Sequence, residues 1–213
     1  MCKYTVIYMV RHGETSANAT HTIQGQTDVP LNENGLRQAD LVAARLKNHP
    51  FAAIYSSDLS RALVTAQKIA HGRTVIPDPD LREWHLGHWQ GLHLDEVKAA
   101  FADEYAAFSS DDPDLTISGG ESNAEFLARA ARVMEKLAAR HPGEDILCVT
   151  HGGFVCKVLK YVLKYVSAPL PPCMDNTAIF AFRTLDGKNW QLLRWNDSAH
   201  LENTASSIDV SAL

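Results

Sequence analysis

The sequence has little cysteine, no excess of basic charge and no long apolar run. Its four cysteines, Cys2, Cys148, Cys156 and Cys173, include no C-x-x-C pair, so neither a zinc site nor a disulfide framework is expected. Cys148 and Cys156 lie in apolar segments, as buried thiols in a reducing compartment would. Basic residues number 20 against 25 acidic ones, a formal net charge of −5. A chain of that sign has no general attraction to a polyanion, so nucleic acid is not an expected partner. Lys157, Lys160 and Lys164 recur at helical spacing and read as a solvated helix face. No apolar stretch is long enough to span a bilayer, and the first residues do not read as a signal peptide. The expectation is a cytoplasmic protein without a membrane partner.

What remains is enough apolar material for one sizeable core: 213 residues, 46% hydrophobic. Residues 5–10 (TVIYMV) are β-branched and apolar throughout, as a strand buried on both faces is. Residues 35–49 carry Leu36, Ala39, Val42, Ala43 and Leu46 on one helical stripe. Residues 52–55 suit a second strand, and Ser56, Ser57 and Asp58 can cap the helix that follows. Residues 74–76 are a third candidate strand, closed by Pro77 and Pro79. Residues 94–108 read as helix and 109–120 as a polar, acidic loop. Ser122 and Glu125 make a capping box that starts a long helix at Asn123. Residues 146–150 (ILCVT) form another buried strand, followed by a helix with Val155, Val158, Leu159 and Val162 inward. Residues 178–183 and 190–195 alternate around Asp186-Gly187 as a hairpin does. Residues 204–213 read as a loose tail.

Strands alternating with helices predict a three-layer α/β/α sandwich with a mostly parallel central sheet, here one domain with a small helical and loop cap at 94–120. Ligands of such sheets bind beyond the carboxyl ends of the strands. Two strands run directly into histidine and glycine, at His12-Gly13 and His151-Gly152, so both histidines should face one crevice. Arg11 lies beside the first, Arg61 opens the helix after the second strand, and Glu83 follows the third. Taken singly, each has a structural explanation, such as a core histidine or a surface ion pair of little worth. Taken together, two arginines and two histidines at one sheet edge suggest an anion, because unpartnered cations are costly to bury.

The stretch Val10-Arg11-His12-Gly13-Glu14-Thr15, with Asn18 downstream, resembles the signature of the histidine phosphatase superfamily, in the branch that includes cofactor-dependent phosphoglycerate mutases. The likeness runs through QGQTDVPLNENGLRQA (24–39), YSSDLSRALVTA (55–66), LREWHLGHWQG (81–91), GGES (119–122) and VTHGG (149–153). It implies that His12 is a nucleophile forming a phosphohistidine. Such a histidine must be neutral, with an acceptor at its other nitrogen to fix the tautomer. It implies that Arg11, Arg61 and a protonated His151 surround the phosphoryl oxygens, so that no metal or other cofactor is required. Glu83 would protonate the leaving alkoxide and then activate water. Asn18, Gln24 and the Gly25 and Gly152 backbones would add hydrogen bonds to phosphate or substrate, and Thr15 would support the first loop.

Two sequence features bear on the reaction. Mutases of this branch carry extra basic residues after the acid and in the middle insert. Here the corresponding positions hold Trp84, His85, Leu86, His93 and Leu94, and the insert offers Asp103, Glu104, Asp111, Asp112 and Asp114. An acidic lid repels polyanions. The expectation is therefore a phosphomonoesterase whose partner is a small phosphorylated metabolite, the alternatives being a phosphoglycerate mutase or a catalytically silent phosphate-binding module. His85, His88 and His93 lie close in sequence, but Gly87 and Gly91 interrupt any helix that would align them on a metal. Trp89 reads as a core anchor; Trp84, beside the acid, reads equally as core or as a substrate platform.

Overall fold

The computed structural model describes residues 3–164 and 174–202. In chain order the elements are β1 (Thr5–Arg11), α1 (Ser16–Ala19), α2 (Glu33–Leu46), β2 (Ala53–Ser56), α3 (Ser60–Ala70), β3 (Ile76–Pro77), α4 (Leu94–Ala100), α5 (Ala102–Ser109), α6 (Asn123–Arg140), β4 (Asp145–Thr150), α7 (Gly152–Leu163), β5 (Ile179–Thr184) and β6 (Trp190–Asp197). The strands form one sheet in the order β3-β2-β4-β1-β5-β6. The first four of these run parallel to one another, while β5 pairs antiparallel with β1 and β6 antiparallel with β5.

Alternation along the central strands divides the interior into two cores. Ile7, Met9, Ile146, Cys148, Phe180 and Phe182 point to one face, where they meet Phe126, Ala130, Val133 and Leu137 of α6 and Val155, Val158 and Val162 of α7. Val10, Leu147, Val149 and Ile179 point to the other, against Val42, Ala43 and Leu46 of α2 and Ala62, Ala66 and Ile69 of α3. With both faces covered, each strand reads as a continuous apolar run, which is why periodicity alone does not show a solvated side. The result is the expected three-layer sandwich. Among the described residues, no helix is long and apolar enough to cross a membrane.

Several local expectations shift. The third strand is Ile76–Pro77 rather than 74–76, at the outer edge of the sheet, where a residue without an N–H is tolerated. The segment expected as one helix over 94–108 breaks at Phe101 (φ −131°, ψ 47°) into α4 and α5. Leu36 is exposed, and Gly35 and Gln38 take its place on the buried stripe of α2. Neither Ser56 nor Asp58 caps α3. Asp28 does so from a distant loop, accepting from Ser60 N (2.8 Å) and Oγ (2.7 Å), while Asp58 pairs with Arg82. Lys157 is not on a solvated face: it is 6% exposed and bonded, like Lys160, to Asp111. Trp84 and Trp89 are both core residues. Cys2, Cys173 and the tail at 204–213 lie outside the described residues, whereas Cys148 and Cys156 are free thiols, the former fully buried.

One contact shapes the loop after β1. Glu14 accepts from Asn32 Nδ2 (2.7 Å) and Asn34 Nδ2 (3.2 Å), so it binds the start of α2 and does not face a ligand. Gly13 and Gly35 touch backbone to backbone there: a Cβ on Gly35 would sit 2.0 Å from Glu14 O, and one on Gly13 2.4 Å from Gly35 O. Gly35→Ala is expected to lower stability in urea unfolding by about 1–3 kcal/mol, the cost of overpacking against an unyielding neighbour. An unchanged midpoint would mean that the loop has room to move.

Candidate active site

The site is built at the carboxyl edge of β1, β2 and β4. The parallel register sets Arg11 opposite Thr150, and His12 N donates to Thr150 O (2.9 Å), so the next residue of each strand carries a histidine to the same place. The two rings meet edge to face with centroids 5.1 Å apart. His12 Nδ1 lies 2.7 Å from Gly13 O. A carbonyl can only accept, so Nδ1 carries the proton and Nε2 keeps its lone pair. This is the tautomer a nucleophile attacking through Nε2 requires. Burial, then Arg61 and Arg11, push the His12 pKa well below 6.5 and keep the ring neutral.

His151 is fully buried, and its Nε2 is 2.8 Å from Ser57 Oγ. Burial first, then Arg61, His12 and Arg11, hold its pKa well below 6.5 as well. The expected protonated His151 is thus disfavoured by the surrounding cations, and its charging needs an anion among them. Arg61 is 1% exposed and donates to Gly25 O (2.7 Å) and Thr27 O (2.8 Å). Burial lowers its pKa to about 10, against the opposing pull of Glu83 and Asp28. Gly25, in the left-handed region at φ +51°, therefore serves through its carbonyl as an anchor for Arg61. Arg11 is steadied by Met174 O. Two buried donor or acceptor atoms here, Arg61 Nε and His151 Nδ1, have no hydrogen-bond partner among the described residues. Buried orphans of this kind mark a ligand position.

Glu83 is gripped on both carboxylate oxygens: Trp84 N donates to Oε1 (2.9 Å) and Gly153 N, at the N-terminus of α7, to Oε2 (2.9 Å). A Cβ on Gly153 would come within 2.3 Å of Oε1, so only glycine lets the carboxylate approach. Gly152 packs beside Arg11 at the same helix start, where the helix dipole favours anions. Thr15, fully buried, caps α1 in a box with Asn18 and donates within reach of Gln24 Oε1 (2.9 Å). Asn18 Oδ1 is taken up by that box, with Asn176 Nδ2 at 3.5 Å.

Four supporting residues escape a reading of the sequence. Ser57 holds His151, although it reads only as a helix cap. Asn176 donates to His12 O (3.0 Å) from the turn before β5. Gln26 Nε2 donates to Glu83 O (3.0 Å). Arg129, 8% exposed, donates to Asp80 O, Arg82 O and Glu83 O while pairing both oxygens of Glu121, which pins the backbone of the acid. Arg129 alone has a sequence signal: it falls on the apolar stripe of α6, between Phe126 and Val133. The three clustered histidines diverge. His93 caps α4, His88 sits 3.4 Å from Glu104, and His85 lines a groove with Arg132 and Glu125. Among the described residues no three His, Cys, Asp or Glu side chains converge as a metal centre would require.

Comparison with known proteins matches residues 7–198 to the family described as the histidine phosphatase superfamily (branch 1). A relative in Arabidopsis thaliana, phosphoglycerate mutase-like protein 4, is 43% identical over 94% of this chain and 89% of its own length. The metal-independent phosphoserine phosphatase of the same plant is 40% identical over 93% of this chain and 84% of its own. Among solved structures, the phosphoserine phosphatase of Entamoeba histolytica in complex with 3-phosphoglyceric acid superposes with a TM-score of 0.81. It has 32% identity and covers 92% of this chain and 99% of that one.

The two depressed histidines make stability pH-dependent. Between the unfolded value near 6.5 and the lower folded values, the unfolded chain binds more protons than the folded one, so stability present above about pH 7 is lost as the pH falls through and below 6.5. His200, lowered to about 4, chiefly by burial, adds to the same slope. Thermal melts across that window should show the melting temperature falling with pH, and His12→Asn or His151→Asn should flatten the fall. Parallel curves for wild type and variants would refute the neutral assignment.

Proposed function

Because the chain belongs to the histidine phosphatase superfamily, branch 1, we propose that it is a metal-independent phosphomonoesterase acting on a small phosphorylated metabolite. The observation that carries this reading is the His12 Nδ1 contact with Gly13 O, which leaves a neutral Nε2 as the nucleophile inside a ring of cationic and polar donors. Nε2 attacks phosphorus, the P–O ester bond breaks, and Glu83 gives its proton to the leaving alkoxide. The Glu83 carboxylate then takes a proton from water, whose oxygen displaces His12 and releases phosphate. Arg11, Arg61, Asn18, Gln24 and the N-terminus of α7 at Gly152 position the phosphoryl oxygens, the guanidinium groups by paired hydrogen bonds. A bound phosphate dianion reverses the local field, so His151 can hold a proton and donate. The rigid edge of β1 and β4 keeps these groups in place before substrate arrives.

Hydrolysis is favoured over phosphoryl interconversion by where the basic residues go. A mutase must hold a second phosphate, and two lysines of α7, Lys157 and Lys160, are both committed to Asp111 at 2.5 and 2.6 Å. The lid is also less acidic than its composition implies, since Asp111 is neutralised by Lys157 and Lys160. The commitment of these two lysines to Asp111 supports a monophosphate. The segment 94–120 acts as the cap over the leaving group. Phosphoserine and 3-phosphoglycerate head the substrate panel, since the similar proteins carry them in their names or complexes.

Phosphate release from such a panel in the presence of chelator, beside an assay of phosphoglycerate interconversion, tests the reading. Release without interconversion is the expected result, and interconversion exceeding release would make the protein a mutase. His12→Ala should abolish turnover and leave no acid-labile phosphoenzyme; substantial turnover by this variant would remove His12 from the role. Glu83→Gln should slow hydrolysis of phosphoserine by about two to four orders of magnitude.

A further inference from the structure

The cap is fastened by a half-buried ionic latch. Asp111 stands just after α5 with φ +55°. Its Oδ1 accepts from Lys157 Nζ (2.5 Å) and Asn123 Nδ2 (3.0 Å), and its Oδ2 from Lys160 Nζ (2.6 Å). Burial opposes charge on this carboxyl, but the hydrogen bonds from Lys157, Lys160 and Asn123 outweigh it and bring the pKa to about 2. Two cations on one carboxylate, one of them 6% exposed, exceed what a surface ion pair does.

The latch reaches the acid through one aromatic ring. Lys157 Nζ lies 4.9 Å from the centroid of Trp84, whose other neighbours are Phe108 of α5, stacked at 5.5 Å, and Phe126 of α6 at 5.4 Å. The indole Nε1 donates to Glu121 O (2.7 Å), and the Trp84 backbone N–H donates to Glu83 Oε1. Lys157 lies four residues, about one turn, after Gly153, whose N–H at the start of α7 holds the other oxygen of Glu83. One helix thus carries a donor to the acid and, one turn on, the bolt of the cap.

We propose that Asp111 and Lys157 are positioning residues: by clamping the cap against Trp84 they fix the backbone and carboxylate of Glu83 in the geometry that protonates the leaving group. The proposal rests on the acid role assigned to Glu83. It also accounts for a lysine buried against an indole with no ligand of its own.

The test separates positioning of the acid from general damage by changing the leaving group. The ratio kcat/KM reports events up to departure of the alcohol. Phosphoserine needs its leaving oxygen protonated, whereas p-nitrophenyl phosphate does not. Asp111→Asn keeps the shape and tolerates the left-handed backbone, and a thermal melt checks its fold because Lys157 loses its counter-charge. It is expected to lower kcat/KM for phosphoserine about tenfold, part of the general-acid contribution, with p-nitrophenyl phosphate within about twofold. Lys157→Met should behave alike and Lys157→Arg should restore the ratio. Equal losses on the two esters, or no loss on phosphoserine, overturn the proposal. Glu83→Gln in the same assay is the reference. If it shows the split and Asp111→Asn does not, the latch alone is wrong. If Glu83→Gln spares phosphoserine too, the acid assignment falls and takes the latch with it.

Discussion

The whole site depends on the parallel pairing of β1 with β4. Their register is set by apolar side chains that alternate between two cores, and a slip by one residue would send every one of them to the wrong face. Because the register is held by burial, the residues just past its end are held too. His12 and His151 meet there without any contact between them having to supply the energy. The glycines that follow leave space: Gly13 for the backbone of α2, Gly153 for the carboxylate of Glu83. A strand on each side, a helix start and a close glycine contact together place Arg11, His12, Glu83 and His151 with few degrees of freedom left.

The same arrangement works against stability. Arg61 and the two histidines are buried where opposite charge is scarce, and the polar contacts they do make come largely from backbone carbonyls and from Ser57. Carbonyls orient a guanidinium without neutralising it. The site keeps its positive field available to an anion while its cationic groups stay in fixed directions, which is the usual meaning of electrostatic preorganisation. Asp28, Asp58 and Glu121, by contrast, are spent on helix capping or on arginines further out.

The parts of this that were legible in the sequence are those that depend on period and spacing. The apolar strands, the stripe of α6 with its capping box, and the two strand-end histidines follow from local rules, and the sandwich follows from their order. What was not legible depends on distant segments meeting. Nothing near Asp28 says that it caps α3, and nothing in the spacing of Lys157 and Lys160 shows that an aspartate from the cap will bury them. The exposed-face reading of those lysines failed because helical spacing identifies neighbours on a face but not what covers it. Edge strand β3 was misplaced for a related reason: two residues carry too little pattern to register, and their pairing is supplied by β2.

The ends of the sheet differ in kind. On one side β3 is only Ile76–Pro77, short and lacking a donor at the proline. On the other, β6 runs from Trp190 to Asp197 with Leu193 47% exposed, a longer ladder whose outer backbone has no neighbouring strand among the described residues. Short proline-bearing edges resist extension by a further strand, and long ones template it. The two edges therefore differ as templates: β6 presents a ladder of 8 residues and β3 one of 2. Since the residues of the candidate site issue from β1, β2 and β4, a strand added at β6 would lengthen the sheet without touching the strands that carry them.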